Sequence, residues 1–207
     1  VLMMFIKVGS SLEQAFHMLP PKMRDNWRQF LFLLVQEAPS QLNIADLKSQ
    51  TPLMLMAETG DTEMVRLMLR AGANPELQDR QGMTALHSAI KSQVAGCVDA
   101  LLDHPCRLNT VTNDGQSPLH TAAWTGNLHT INRLLSLAPD LAWQQNTQNM
   151  TPLERVEYLL EVPQALQMLS KQLETQGRRC PTKAELAEVV GLLEKALFTS
   201  ASQRTEK

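Results

Sequence analysis

Apolar side chains recur along the chain at helical spacing. Met64, Val65, Met68 and Leu69 mark one face of a helix with a 3.6-residue period. A second kind of helix start precedes such stretches: TPLM at 51–54, TALH at 84–87, SPLH at 117–120 and TPLE at 151–154. A Thr or Ser hydroxyl can accept from free backbone N–H groups at a helix start, and Pro fits the first turn. Ala57, Ala89, Ala122 and Ala123 are small, so neighbouring helices can approach closely. Gly60 and Gly126 suit a positive φ between two helices, and Gly82 and Gly115 suit tight turns joining one unit to the next. The pattern predicts helix–turn–helix units that bury their apolar faces only by stacking.

The units are periodic. The opening Thr or Ser stands at 51, 84, 117 and 151, so the period is 33 or 34 residues. Asp46 and Asp79 stand five residues before an opening Thr, and Leu69, Leu102 and Leu135 eighteen after one. This period, with its Thr-Pro-Leu-His openings, resembles the ankyrin repeat over about residues 42–172. The resemblance implies an all-α ankyrin-repeat solenoid of helix–turn–helix units with β-turn or hairpin fingers. The expected organisation is repeat 1 at 47–79, repeat 2 at 80–112, repeat 3 at 113–146 and a divergent repeat 4 at 147–176.

The ends depart from the pattern. Residues 10–46 read as a divergent N-terminal capping repeat, with a first helix over 10–19 and Trp27, Phe30, Leu31, Leu34 and Val35 at helical spacing in the second. Residues 1–9 are apolar but short, and read as the cut end of a longer chain. At the other end, Thr182 and Glu185 predict a capping box, and Leu186, Val189, Val190, Leu193 and Leu197 form one apolar stripe. Residues 177–199 therefore read as a C-terminal capping helix, with a helix that docks on a partner as the alternative, and 200–207 as a disordered tail.

Composition narrows the function. A net charge of −2 gives no bulk attraction to nucleic acid. The three cysteines, Cys97, Cys106 and Cys180, include no close pair, which favours a reducing, intracellular setting, cytoplasmic or nuclear. No stretch is long enough to span a bilayer, so no membrane partner is expected. His87, His104, His120 and His129 fall in one region, but their spacing with the cysteines matches no zinc pattern, and no metal or cofactor is expected. His87 and His120 occupy the resembling family's own His position, where an imidazole holds turn backbone. No catalytic triad, phosphate loop or carboxylate pair stands out, so the chain reads as a non-enzyme.

The expected function is a monomeric protein–protein interaction module that holds another protein along a concave groove. The resemblance implies that the residues just before the helix-ending turn point into that groove: Glu58, Lys91, Trp124 with Thr125, and Tyr158. The finger tips add Lys48, Arg80, Gln81, Met83, Asn113, Asp114, Gln116 and Met150. Trp124, Tyr158, Met150 and Met83 would form an apolar patch ringed by polar groups, as binding hot spots do. Alternatives are a regulatory or targeting domain of a larger enzyme and, by resemblance alone, an IκB-like regulator of a transcription factor.

Overall fold

A computed structural model of the chain describes residues 35–36, 39–175 and 178–205. Most of the expected N-terminal cap, including the 10–19 helix and Trp27, Phe30, Leu31 and Leu34, lies outside these residues. The described part of that cap holds a short 3-10 turn, Pro39–Gln41, with Val35 and Leu42 buried. The chain divides into two compact units, Val1–Cys106 and Arg107–Lys207.

The first unit contains α1 (Pro52–Thr59), α2 (Thr62–Arg70), α3 (Ala85–Ser92) and α4 (Ala95–Leu102). The second contains α5 (Pro118–Thr125), α6 (Leu128–Leu137), a 3-10 turn (Pro139–Trp143), α7 (Pro152–Glu161), α8 (Pro163–Thr175) and α9 (Lys183–Thr205). Helix α9 thus continues past residue 199, into the stretch expected to be a disordered tail. The fold is all-α, and the described residues form no strand. The expected hairpin fingers are turns.

Local chemistry explains each boundary. The Oγ of Thr51, Ser117 and Thr151 each accepts the N–H three residues on, at 3.3 Å, and Pro follows in the first turn. The first helices of the first three repeats end in a left-handed residue, Gly60 at φ 80°, Gln93 at 60° and Gly126 at 71°, whereas α7 of the fourth ends at Val162 in an extended conformation, φ −109°. The turns between units repeat one device. The N–H of Asp46, Asp79, Thr112 and Asn146 donates to the carbonyl four residues on, each at 3.0 Å. The side-chain oxygen of Asp46, Asp79 or Asn146 also accepts two N–H groups of its own turn, at 2.7 to 3.0 Å.

In the first unit α1 packs on α3 and α2 on α4. The contact is close. A Cβ on Gly60 would lie 2.6 Å from Val94 Cγ2, and one on Gly96 would lie 2.7 Å from Thr62 Oγ1. In the second unit α5 packs on α7, but α6 packs on α9. Sequence register assigns α8 the place of the fourth unit's outer helix. Instead α9 lies against α6, the Pro139–Trp143 turn and α7, while α8 packs against α7. Pro181, just before α9, takes the part that Val94 takes in the first unit: a Cβ on Gly126 would lie 2.6 Å from Pro181 Cβ. Leu186, Val189 and Leu193 are fully buried in that seat.

Candidate functional site

The first helices of the units present one registered position. Helix α5 buries Pro118 through Ala123 and also Thr125, which leaves Trp124 as its one partly exposed residue. The equivalent positions in the other units are Glu58, exposed, Lys91, partly exposed, and Tyr158, 40% exposed. The second unit therefore carries two accessible aromatics at matched places on stacked helices α5 and α7. Met150, at the tip preceding α7, is also partly exposed.

The tips behave as polar rims. Lys48, Arg80, Gln81, Asn113 and Asp114 are exposed and Gln116 is partly so. The Asp114 carbonyl accepts both the N–H and the hydroxyl of Thr147, at 3.2 and 2.9 Å, which ties the third tip to the fourth. Two expected contact residues lie elsewhere. Thr125 is buried, and its hydroxyl donates back to the Thr121 and Ala122 carbonyls at 3.0 Å. Met83 is 9% exposed, with Lys91 Nζ donating to its sulfur at 2.9 Å. A Thr near a helix end can return its hydroxyl to the preceding turn, which spacing alone does not reveal.

The histidines hold backbone. Thr84 and Ser117 each donate an N–H to the Nδ1 of His87 and His120, at 3.3 and 3.2 Å. That makes Nδ1 of His120 an acceptor and leaves Nε2–H to donate to the Met150 carbonyl at 2.9 Å. His120 thus clamps the third repeat to the fourth. Burial holds its imidazole below the ordinary 6.5, the Met150 bond opposes this, and the charge of Arg155 adds to the depression. The folded state therefore resists a proton that the unfolded chain takes near the ordinary value. Stability is full above pH 6.5 and falls as the pH drops from there through the folded value. Denaturant titrations at pH 7.5 and 5.5 are expected to show this loss in the wild type and a shallower one in His120→Gln.

Burial raises the thiols of Cys97, Cys106 and Cys180 above their ordinary range. Cys97 is buried, with its sulfur 3.4 Å from Thr62 Oγ1. Burial, with the charge of Glu76, pushes the Cys106 thiol up to about 11, so it stays protonated at neutral pH. Among the described residues no group of three or more His, Cys, Asp or Glu side chains could hold a metal ion, and no helix is long and apolar enough to cross a membrane.

These registered caps, turns and histidines agree with a match to a family model. The model of ankyrin repeats, in three copies, matches residues 24–112 and 53–144. The chain belongs to the ankyrin-repeat family. Ankyrin repeats are protein-interaction modules, and the relatives of this ankyrin chain include two NF-kappa-B inhibitors. It is 36% identical over 112 residues to B-cell lymphoma 3 protein of Homo sapiens, across 52% of this chain and 25% of that protein. It is 29% identical over 138 residues to NF-kappa-B inhibitor delta of Mus musculus, across 66% of this chain and 41% of that protein. With NF-kappa-B inhibitor alpha of Sus scrofa it shares 34% identity over 110 residues, across 50% of this chain and 35% of that protein. The matched region thus spans between a quarter and two fifths of these relatives' lengths.

Sequence reasoning missed several exposed apolar side chains. Leu137 and Trp143, at the end of α6 and in the following turn, are 50% and 40% exposed, and Phe198 of α9 is 76% exposed. An apolar residue beyond the end of a periodic stripe leaves no signal in the period itself.

Proposed function

We propose that the chain is a non-catalytic protein-binding module whose principal contact surface is the registered face of α5 and α7. Trp124, Tyr158 and Met150 are its apolar anchors, and Asn113, Asp114 and Gln116 its polar rim. Glu58, Lys91, Lys48, Arg80 and Gln81 offer the matching, more polar positions of the first unit. The observation that carries this reading is the helix in which seven residues are buried and Trp124 alone is not. A Trp kept partly in water at a place where other units carry Glu and Lys supports a contact role over a packing role.

The similarity to two NF-kappa-B inhibitors supports a more specific reading, in which the partner is an NF-kappa-B subunit. Titrating a fluorescently labelled NF-kappa-B subunit with this chain tests it. Saturable binding is expected, with Trp124→Ala at least tenfold weaker and its folding stability reduced by only about 1–2 kcal/mol. Absence of saturable binding removes the NF-kappa-B reading. A weakening no larger than the loss of folded protein would make Trp124 a packing residue.

A further inference from the structure

An Arg three residues before a Ser or Thr occurs at three places: Arg107 before Thr110, Arg133 before Ser136 and Arg179 before Thr182. The fold treats the three hydroxyls differently. Ser136 lies inside α6, and its hydroxyl donates to the Arg133 carbonyl at 2.7 Å. Thr110 is partly buried, with its hydroxyl turned to the Arg107 carbonyl at 3.5 Å. Thr182 is exposed at the end of the non-helical stretch 178–182, and a second Arg, Arg178, precedes it. Its N–H and hydroxyl donate to Glu185 Oε2 at 2.8 and 3.0 Å, and the Glu185 N–H donates back to Thr182 Oγ at 3.2 Å. Arg179 Nη2 donates to Glu185 Oε1 at 2.7 Å, yet the Arg179 side chain stays 70% exposed. This box abuts the turn that follows Trp124. A Cβ on Gly126 would lie 2.6 Å from Pro181 Cβ and 3.9 Å from Glu185 Cβ.

We propose that Thr182 is the acceptor for a protein kinase that reads Arg three residues before its target, and that the phosphate opens the Thr182–Glu185 box and weakens the contact surface at Trp124. The effect on the contact surface rests on the interaction reading above; the acceptor itself does not. Carboxylates in a kinase cleft select an Arg at that spacing by charge. In the transfer, Thr182 Oγ forms a bond to the γ-phosphorus of ATP, the β–γ bridging oxygen leaves with ADP, and the hydroxyl proton passes to the kinase's catalytic aspartate. The product has lost the hydroxyl donor that Glu185 accepts and carries close to two negative charges. The Thr182 N–H and hydroxyl, then Arg179, hold the Glu185 carboxyl below its ordinary range, so at neutral pH a charged carboxylate meets the phosphate. The phosphate repels Glu185 and draws Arg179 to itself. Pro181, between the two, then loses its seat on the Gly126 turn that positions Trp124.

The test incubates the full chain with ATP and calmodulin-dependent protein kinase II, a kinase that reads Arg at this spacing, and locates the phosphate by mass spectrometry. Phosphate is expected on Thr182, retained in Thr182→Ser and lost in Thr182→Val. Arg179→Gln is expected to slow incorporation about tenfold or more, because it removes the charge the kinase reads. Arg107→Gln and Arg133→Gln are expected to leave it unchanged. Phosphate placed mainly on Thr110 or Ser136, or none on the folded chain, would overturn the proposal. In the phosphorylated chain, hydrogen exchange is expected to quicken at 182–186 and at 124–127, and unchanged exchange would overturn the opening of the box. The phosphorylated chain is also expected to bind a labelled NF-kappa-B subunit about threefold or more weaker than the unmodified chain. Equal binding by the two forms would overturn the link to Trp124. If phosphate and faster exchange appear but neither form binds the subunit, the NF-kappa-B reading falls and the acceptor site stands.

Discussion

Deleting residues 182–207 is expected to unfold or aggregate the second unit. Helix α9 fills the outer-helix seat of the fourth repeat, and its Leu186, Val189 and Leu193 are each fully buried there. Fully burying such a side chain contributes about 1.5–3 kcal/mol, so removing three of them costs a large share of the ~5–15 kcal/mol that holds a domain together. Hydrogen exchange checks this. Protection should be lost across α6 and α7, the helices that α9 covers. Leu193→Ala in the full chain gives the graded version, a loss of about 2–5 kcal/mol. A truncated chain that stays monomeric with unchanged protection in α6 and α7 would make α9 a free helix.

Leu119→Ala is expected to cost about 2–5 kcal/mol in chemical denaturation. Leu119 is fully buried on α5, which packs on α7 and α6, so truncation leaves a cavity between stacked helices. Its place matches Leu86 on α3, which is 3% exposed. A loss well under 1 kcal/mol would mean that the helices do not stack at this position.

The inner helices were legible because their signals are local and redundant. A Thr or Ser cap, Pro in the first turn, a small face and a turn Gly all agree at 51–60 and 117–126. Even Gln93, which replaces the turn Gly, adopts the same left-handed geometry. Asp46 and Asp79 were legible by spacing, and the structure adds the reason: each side chain closes its own turn. The seating of α9 was not legible. Leu166, Leu169 and Leu173 have the same i, i+3, i+7 spacing as Leu186, Val189 and Leu193, so periodicity cannot say which helix takes the seat. Register favours α8 and three-dimensional packing selects α9.

The candidate site was legible in part for a similar reason. The register that aligns Glu58, Lys91, Trp124 and Tyr158 is fixed by the repeat, and the structure leaves all four at least partly exposed. Thr125 and Met83 sit one step from exposed neighbours, and their burial depends on hydrogen bonds that the one-dimensional pattern does not encode.

On the proposed function, the registered face of α5 and α7 is the protein-binding surface. Hydrogen exchange of the chain saturated with an NF-kappa-B subunit tests it most directly. New protection is expected in α5, in α7 and in the turns at 112–116 and 146–150, with α6 unchanged. Protection confined to α6, α8 or α9, with α5 and α7 unaffected, would contradict it.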